Sequence, residues 1–105
     1  FYYMSNLEKD ILELLYNAKN GEYTIFYVSY CSYCNSSLDL LKKNKLVYKA
    51  YDISKYGFAK LLNIFRTFKN DQIINFNINH TTKPIIFFNG KFLGGYTELK
   101  TKLQN

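Results

Sequence analysis

The chain is expected to fold as an α/β domain: a four-stranded mixed sheet with helices on both faces, in the order α-β-α-β-α-β-β-α. Three observations predict it. Two apolar, β-branched and aromatic runs, residues 23–28 and 46–51, flank a stretch with helical spacing. That is the pattern of a βαβ unit with parallel strands and a right-handed crossover. A third run, Ile85–Phe88, is followed by Asn89-Gly90, a two-residue hairpin signal that adds antiparallel pairing. Amphipathic stretches stand before, between and after the strands.

The elements follow in order. Ser5-Asn6-Leu7-Glu8 reads as a capping box, which opens a helix over residues 5–19. Leu7, Ile11, Leu14, Leu15 and Ala18 form its apolar face, and Asn20-Gly21 stops it. Residues 23–28 (YTIFYV) suit a strand buried on both faces. Cys34, Leu38 and Leu41 continue one face of a helix over residues 32–43, and residues 46–51 form the second strand. Ser54 is expected to cap a third helix, with Phe58, Leu61, Leu62, Phe65 and Phe68 as its core stripe. Residues 69–81 are polar and Asn-rich around Ile73, Ile74, Phe76 and Ile78, and no element is assigned there. The hairpin then runs through residues 85–93. Gly94-Gly95 follows, and Thr97 is expected to cap a last short helix with Leu99 and Leu103 facing inward.

The 105 residues suffice for one domain, residues 1–105, and 48% hydrophobic content excludes wholesale disorder. No apolar run approaches the roughly 18 residues of a membrane span, and no secretory leader is legible. Phe1–Tyr3 are assigned no function. The net charge of +6 favours anionic partners, but no aromatic-basic motif supports a nucleic-acid partner. Two cysteines are too few to staple a secreted scaffold, so a reducing intracellular compartment such as the cytoplasm is expected.

Cys31 and Cys34 stand three apart, and three chemistries use such a pair. A structural zinc site needs four ligands, and His80 is the only histidine in the chain. A disulfide closing so short a loop stabilises little. Redox chemistry fits position as well as spacing. Cys31 falls between a buried strand and a helix N-terminus, where unpaired N–H groups favour a thiolate. Such sites lower a cysteine pKa from about 8.5 into the range of roughly 3.5 to 7.5. Positions three apart on a helix have Cα atoms about 5 Å from each other, within disulfide range. Cys31 is then the exposed attacking thiol and Cys34 the shielded resolving one.

At this point the sequence resembles a glutaredoxin, a member of the thioredoxin fold group, over nearly its whole length. Cys31-Ser32-Tyr33-Cys34 is similar to the family's C-P-Y-C and C-S-Y-C sites, Thr82-Lys83-Pro84 to its T-V-P with a cis proline, and Gly94-Gly95-Tyr96-Thr97-Glu98-Leu99 to its G-G-x-x-(D/E)-L segment. The resemblance implies a thioredoxin-like three-layer fold, a cis Lys83-Pro84 bond and a glutathione site built from Tyr33, Thr82, Lys83, Pro84, Gly95, Tyr96 and Thr97. In that site the Lys83 backbone pairs with the cysteine of glutathione. The Tyr96 and Thr97 N–H groups receive its γ-glutamyl carboxylate.

The chain departs from the family in three places. A lysine common three residues before the first cysteine is replaced by Val28, while Lys83 stands where valine is usual. Lys83 is expected to restore the missing charge, since an ammonium within about 4 to 6 Å favours a thiolate. The segment 69–79 is longer than in compact members and is expected to be a neutral extension. Arg66 is the candidate for the glycine carboxylate of glutathione, and His80 reads as a loop residue.

The resemblance therefore implies a monomeric, glutathione-dependent thiol–disulfide oxidoreductase. It would reduce protein–glutathione mixed disulfides through Cys31 and protein disulfides through Cys31 and Cys34, at a potential near roughly −200 to −230 mV. The alternative is a [2Fe–2S] cluster bridging two protomers through each Cys31 and two glutathiones, which Ser32, in place of a rigid proline, leaves open.

Overall fold

Helix α1 (Asn6–Tyr16) begins at the capping box read from the sequence. Ser5 Oγ accepts the Glu8 N–H at 3.2 Å, and Glu8 Oε1 accepts the Ser5 N–H at 3.3 Å. These bonds are seen in a computed structural model that describes residues 4–104. Phe1–Tyr3 lie outside the described residues. The helix ends at Tyr16, short of the expected residue 19, because Asn17 already turns out of it as C-cap.

The order continues with β1 (Tyr23–Tyr27), α2 (Ser32–Lys43), β2 (Tyr48–Asp52), α3 (Phe58–Thr67), β3 (Ile85–Phe88), β4 (Lys91–Gly94) and α4 (Tyr96–Leu103). The sheet order is β2-β1-β3-β4. Strand β1 pairs parallel with β2, Tyr23 opposite Tyr48 through Tyr27 opposite Asp52, and antiparallel with β3. The β3–β4 hairpin turns at Asn89 and Gly90, with φ of 56° and 77°, as a primed turn requires.

Strand β1 is central, paired along both edges, and helices cover both of its faces. Tyr23 and Ile25 pack with Leu41 of α2, Ile86 and Leu99 of α4. Phe26 packs with Leu15 of α1, Phe65 of α3 and Phe87 on the other face. Thr24 is fully buried, and its Oγ1 has no hydrogen-bond partner among the described residues. Burying an unpaired hydroxyl costs about 1–3 kcal/mol. Thr24→Val, isosteric and at home in a strand, is expected to stabilise the protein by about 1 kcal/mol, read as a raised urea midpoint at unchanged m-value.

Two expected caps are corrected. Helix α3 is entered at Gly57 (φ 86°), not at Ser54. Ser54 instead bonds Asp52 and Ser29. Helix α4 is entered at Gly95, not at Thr97, because Glu98 reaches back to the Gly95 N–H at 2.6 Å. Strand bounds also shift by one or two residues, β1 ending at Tyr27 and β2 running from Tyr48 to Asp52.

The segment 69–79 joins the core. Asp71 Oδ1 accepts the N–H groups of Ile73 and Ile74 at 2.9 and 3.0 Å, and its other oxygen accepts the Tyr16 hydroxyl of α1. Burial opposes ionisation of Asp71, but these bonds outweigh it and hold the carboxyl below its usual range. Ile74 and Phe76 are buried, with Phe76 against Phe65 and Phe92. Ile73 and Ile78 stay exposed.

Candidate active site

The parallel pair β1–β2 delivers the chain to the site. Beyond Tyr27, the Ser29 N–H donates to Ser54 Oγ at 2.9 Å, and Ser54 Oγ donates to Asp52 Oδ1 at 2.6 Å. The Ser54 bonds, helped by Ser29, hold the Asp52 carboxyl below its usual range. This network ties the loop before the cysteines to the end of β2. Tyr30 then takes a left-handed conformation (φ 59°), which turns the chain into α2 and leaves its ring in solvent.

Cys31 is the N-cap residue of α2, and its Sγ accepts the Cys34 N–H at 3.2 Å. The sulfur thus takes the acceptor place of a cap, at the positive end of the helix dipole. Cys31 is half-buried and Cys34 has no exposed surface. Burial, followed by the Cys31 sulfur, pushes the Cys34 thiol up to about 12, against opposing pulls from a Val28 backbone bond and the Lys83 charge. The asymmetry of the pair is therefore physical: one sulfur can be reached, and the other is held as a thiol.

Beside the cysteines lies a groove of about 260 Å³. Tyr33 of α2 and Tyr96 of α4 face each other there, ring centroids 5.7 Å apart. Thr82 and Lys83 form another wall, leading into the cis Lys83-Pro84 bond. Gly95, Thr97 and Glu98 complete it. Six of the seven residues expected at a glutathione site thus line one groove. The seventh, Pro84, is fully buried. Gly94 has φ of 141°, and a Cβ on it would overlap the Glu98 side chain. Only glycine lets that side chain lie against the turn and hold the Gly95 amide.

A family model of glutaredoxins matches residues 23–93. The chain belongs to the glutaredoxin family. It is 40% identical over 100 residues to a probable glutaredoxin of Acanthamoeba polyphaga mimivirus, covering 93% of this chain and 89% of that protein. It is 30% identical over 80 residues to glutaredoxin-2 of Schizosaccharomyces pombe, covering 76% and 66%. Among solved structures, the holo form of glutaredoxin C1 from Populus tremula x tremuloides superposes with a TM-score of 0.64 at 23% identity, over 95% of this chain and 88% of that one. A buckwheat glutaredoxin–glutathione complex does so with 0.65 at 18% identity, over 97% and 86%. The sheet and its flanking helices are the thioredoxin-like fold of glutaredoxins, a family of thiol oxidoreductases.

Arg66 and Glu98 sit otherwise than the sequence suggested, and His80 sits where it was expected. Arg66 does not line the groove; it lies in the last turn of α3 and donates to Asn63 Oδ1 at 3.4 Å. His80 is a loop residue, packed against Phe92 with its Nε2 3.4 Å from the Pro84 carbonyl oxygen. Glu98 was missed as a lining residue. Its signal was its place three residues after Gly95, the acceptor position of a capping box, obscured because a glycine cap has no side chain to complete the motif.

Proposed function

We propose that this glutaredoxin catalyses glutathione-dependent thiol–disulfide exchange, with Cys31 as nucleophile and Cys34 as resolving thiol. The observation that carries the reading is the asymmetric pair beside the groove. Cys31 is reachable and capped by an N–H, and Cys34 is buried below it. The Cys31 thiolate attacks the glutathionyl sulfur of a protein–glutathione mixed disulfide. That S–S bond breaks, the protein thiolate leaves and takes a proton, and Cys31 carries the glutathionyl group. A second glutathione thiolate displaces it as glutathione disulfide and restores the Cys31 thiolate. With a protein disulfide, Cys31 forms the mixed intermediate, and Cys34, deprotonated as it attacks, closes the Cys31–Cys34 disulfide and releases the reduced protein. A reducing compartment is where such a cycle would run.

In this reading the groove orients the glutathionyl group. The Tyr96 and Thr97 amides open α4 and suit its γ-glutamyl carboxylate. Glu98 offers that wall's carboxylate to the accompanying ammonium. The Lys83 backbone, before the cis bond, pairs with the glutathione cysteine. The buckwheat relative's complex with glutathione supports this reading. Trapping Cys34→Ser as a Cys31–glutathione mixed disulfide tests it. Amide NMR shifts at Lys83, Tyr96 and Thr97 are expected to move, while those at the far end of α2, Lys42 and Lys43, stay. Shifts confined to α2 beside Cys31 would remove glutathione from the groove.

A [2Fe–2S] cluster bridging two protomers would ask each for one sulfur, and Cys31 is the accessible one. Thiol exchange uses both cysteines and is the reading kept. A coloured dimer on anaerobic reconstitution would favour the cluster.

A further inference from the structure

Around the active-site loop the surface carries a set of lysines laid on aromatic rings. Lys55 Nζ and Lys60 Nζ both lie over the Tyr56 ring, 4.9 and 5.9 Å from its centroid. Lys83 Nζ lies 5.5 Å from the centroid of Phe58. The Ser29–Ser54 hydrogen bond fixes this surface next to the active-site loop, since Lys55 directly follows Ser54 and Ser29 stands two residues before Cys31. The Lys83 charge is felt at Cys34. Tyr30 and Tyr33 extend the aromatic rim, both well exposed.

None of Lys55, Lys60 and Lys83 is in an ion pair among the described residues, and the pair that is present joins Lys49 to Glu22 near the other end of β2. A ring takes one side of an ammonium and leaves its other N–H groups free. It also pre-orders a side chain that otherwise loses considerable rotamer freedom on binding. Two carboxylates lie nearby. Asp52 is held by Ser54 and Ser29, and Asp10 lines, with Asp52 and Lys55, the cavity of about 400 Å³ beside α1. Neither forms an ion pair with Lys60, and Lys83 shares the groove with Glu98 without an ion pair between them.

We propose that this lysine–aromatic rim docks the protein substrate, and that it selects mixed disulfides and disulfides flanked by acidic residues. The proposal rests on the thiol-exchange reading and adds to it the class of protein served. Carboxylates on the substrate would meet Lys55 and Lys60 while its sulfur meets Cys31, which raises the encounter rate more than the rate of the exchange itself.

Three glutathionylated peptides of equal length, with acidic, neutral and basic flanks, test it by kcat/KM at low and high salt. The wild type is expected to favour the acidic peptide over the basic one by on the order of tenfold. The gap should shrink as salt shortens the Debye length below about 8–10 Å. K55E/K60E is expected to abolish or invert the preference. K42E/K43E, the same charge change at the far end of α2, should largely keep it. Equal rates on all three peptides, or equal effects of the two double variants, would overturn the rim. So would a single-stranded oligonucleotide that binds the wild type more tightly than the acidic peptide and loses that binding in K55E/K60E. A protein inactive on every peptide rejects thiol exchange instead. Fluorescence anisotropy of labelled peptides on Cys31→Ser then still decides the preference.

Discussion

Cys31→Ser is expected to drop turnover of a protein–glutathione mixed disulfide to the uncatalysed background, while Cys34→Ser retains most of it and loses reduction of protein disulfides. The reason lies in how the two sulfurs are held. Cys31 caps α2 and is partly open to solvent, so no other thiol can take its place. Cys34 is fully buried, with its thiol pushed up to about 12. At neutral pH it is a thiol, and a thiol is neither nucleophile nor metal ligand until it loses its proton. It acts only once a mixed disulfide on Cys31 has placed a sulfur within reach. Removing it therefore spares the route that never uses it. A glutathione-coupled assay with both substrates measures this, and iodoacetamide labelling at neutral pH is expected to modify Cys31 alone. Equal loss of both activities in Cys34→Ser would overturn the division of roles.

Gly90→Ala is expected to cost about 2–5 kcal/mol, a large part of the roughly 5–15 kcal/mol that holds a domain of this kind together. Two effects add. Gly90 has φ of 77°, and a left-handed alanine costs about 1–2 kcal/mol. Its Cβ would also overlap the Leu15 carbonyl oxygen at the end of α1, with the carbonyl carbon at 3.2 Å and Ala18 Cβ at 3.6 Å. Those obstacles are mostly backbone, so relief means prising the β3–β4 turn away from α1, an overpacking cost of about 1–3 kcal/mol. Gly21→Ala separates the two terms. Gly21 has φ of 83° but nothing within 4 Å of an added Cβ, so only the conformational cost applies. Urea unfolding of both variants should show Gly90→Ala losing clearly more. Equal losses would mean that the turn does not pack on α1 as described.

The parts of the fold that proved legible in the sequence are those held by local patterns. The run before α2 read as a strand buried on both faces, and β1 is covered on both, while Asn89-Gly90 read as a hairpin because both residues adopt positive φ. The misreadings fall where a side chain had a better partner out of local view. Ser54 looked like a helix cap but bonds Asp52 and Ser29, and the chain enters α3 through Gly57. Thr97 looked like a cap, but Glu98 serves Gly95 two residues earlier. Residues 69–79 carried no readable period because they are fixed from a distance, through Tyr16 to Asp71 and through Phe76 to Phe65. The groove was legible only as three motifs far apart in the chain. The fold brings Tyr33, Thr82, Lys83 and Tyr96 together.

The bond from the Phe92 N–H to the Ile74 carbonyl oxygen, at 2.7 Å, has a bearing on how copies of this chain meet one another. Strand β4 is an outer strand of the sheet, and an outer strand with free amide groups is a template for another chain. Here the segment after α3 satisfies one of its outward donors, and Phe76 closes over Phe92. The opposite border, β2, is five residues long and exposes Lys49 and Asp52, charges that discourage stacking. The segment 69–79, expected to be a neutral extension, thus covers part of the β4 border, where Lys91 is the exposed charge.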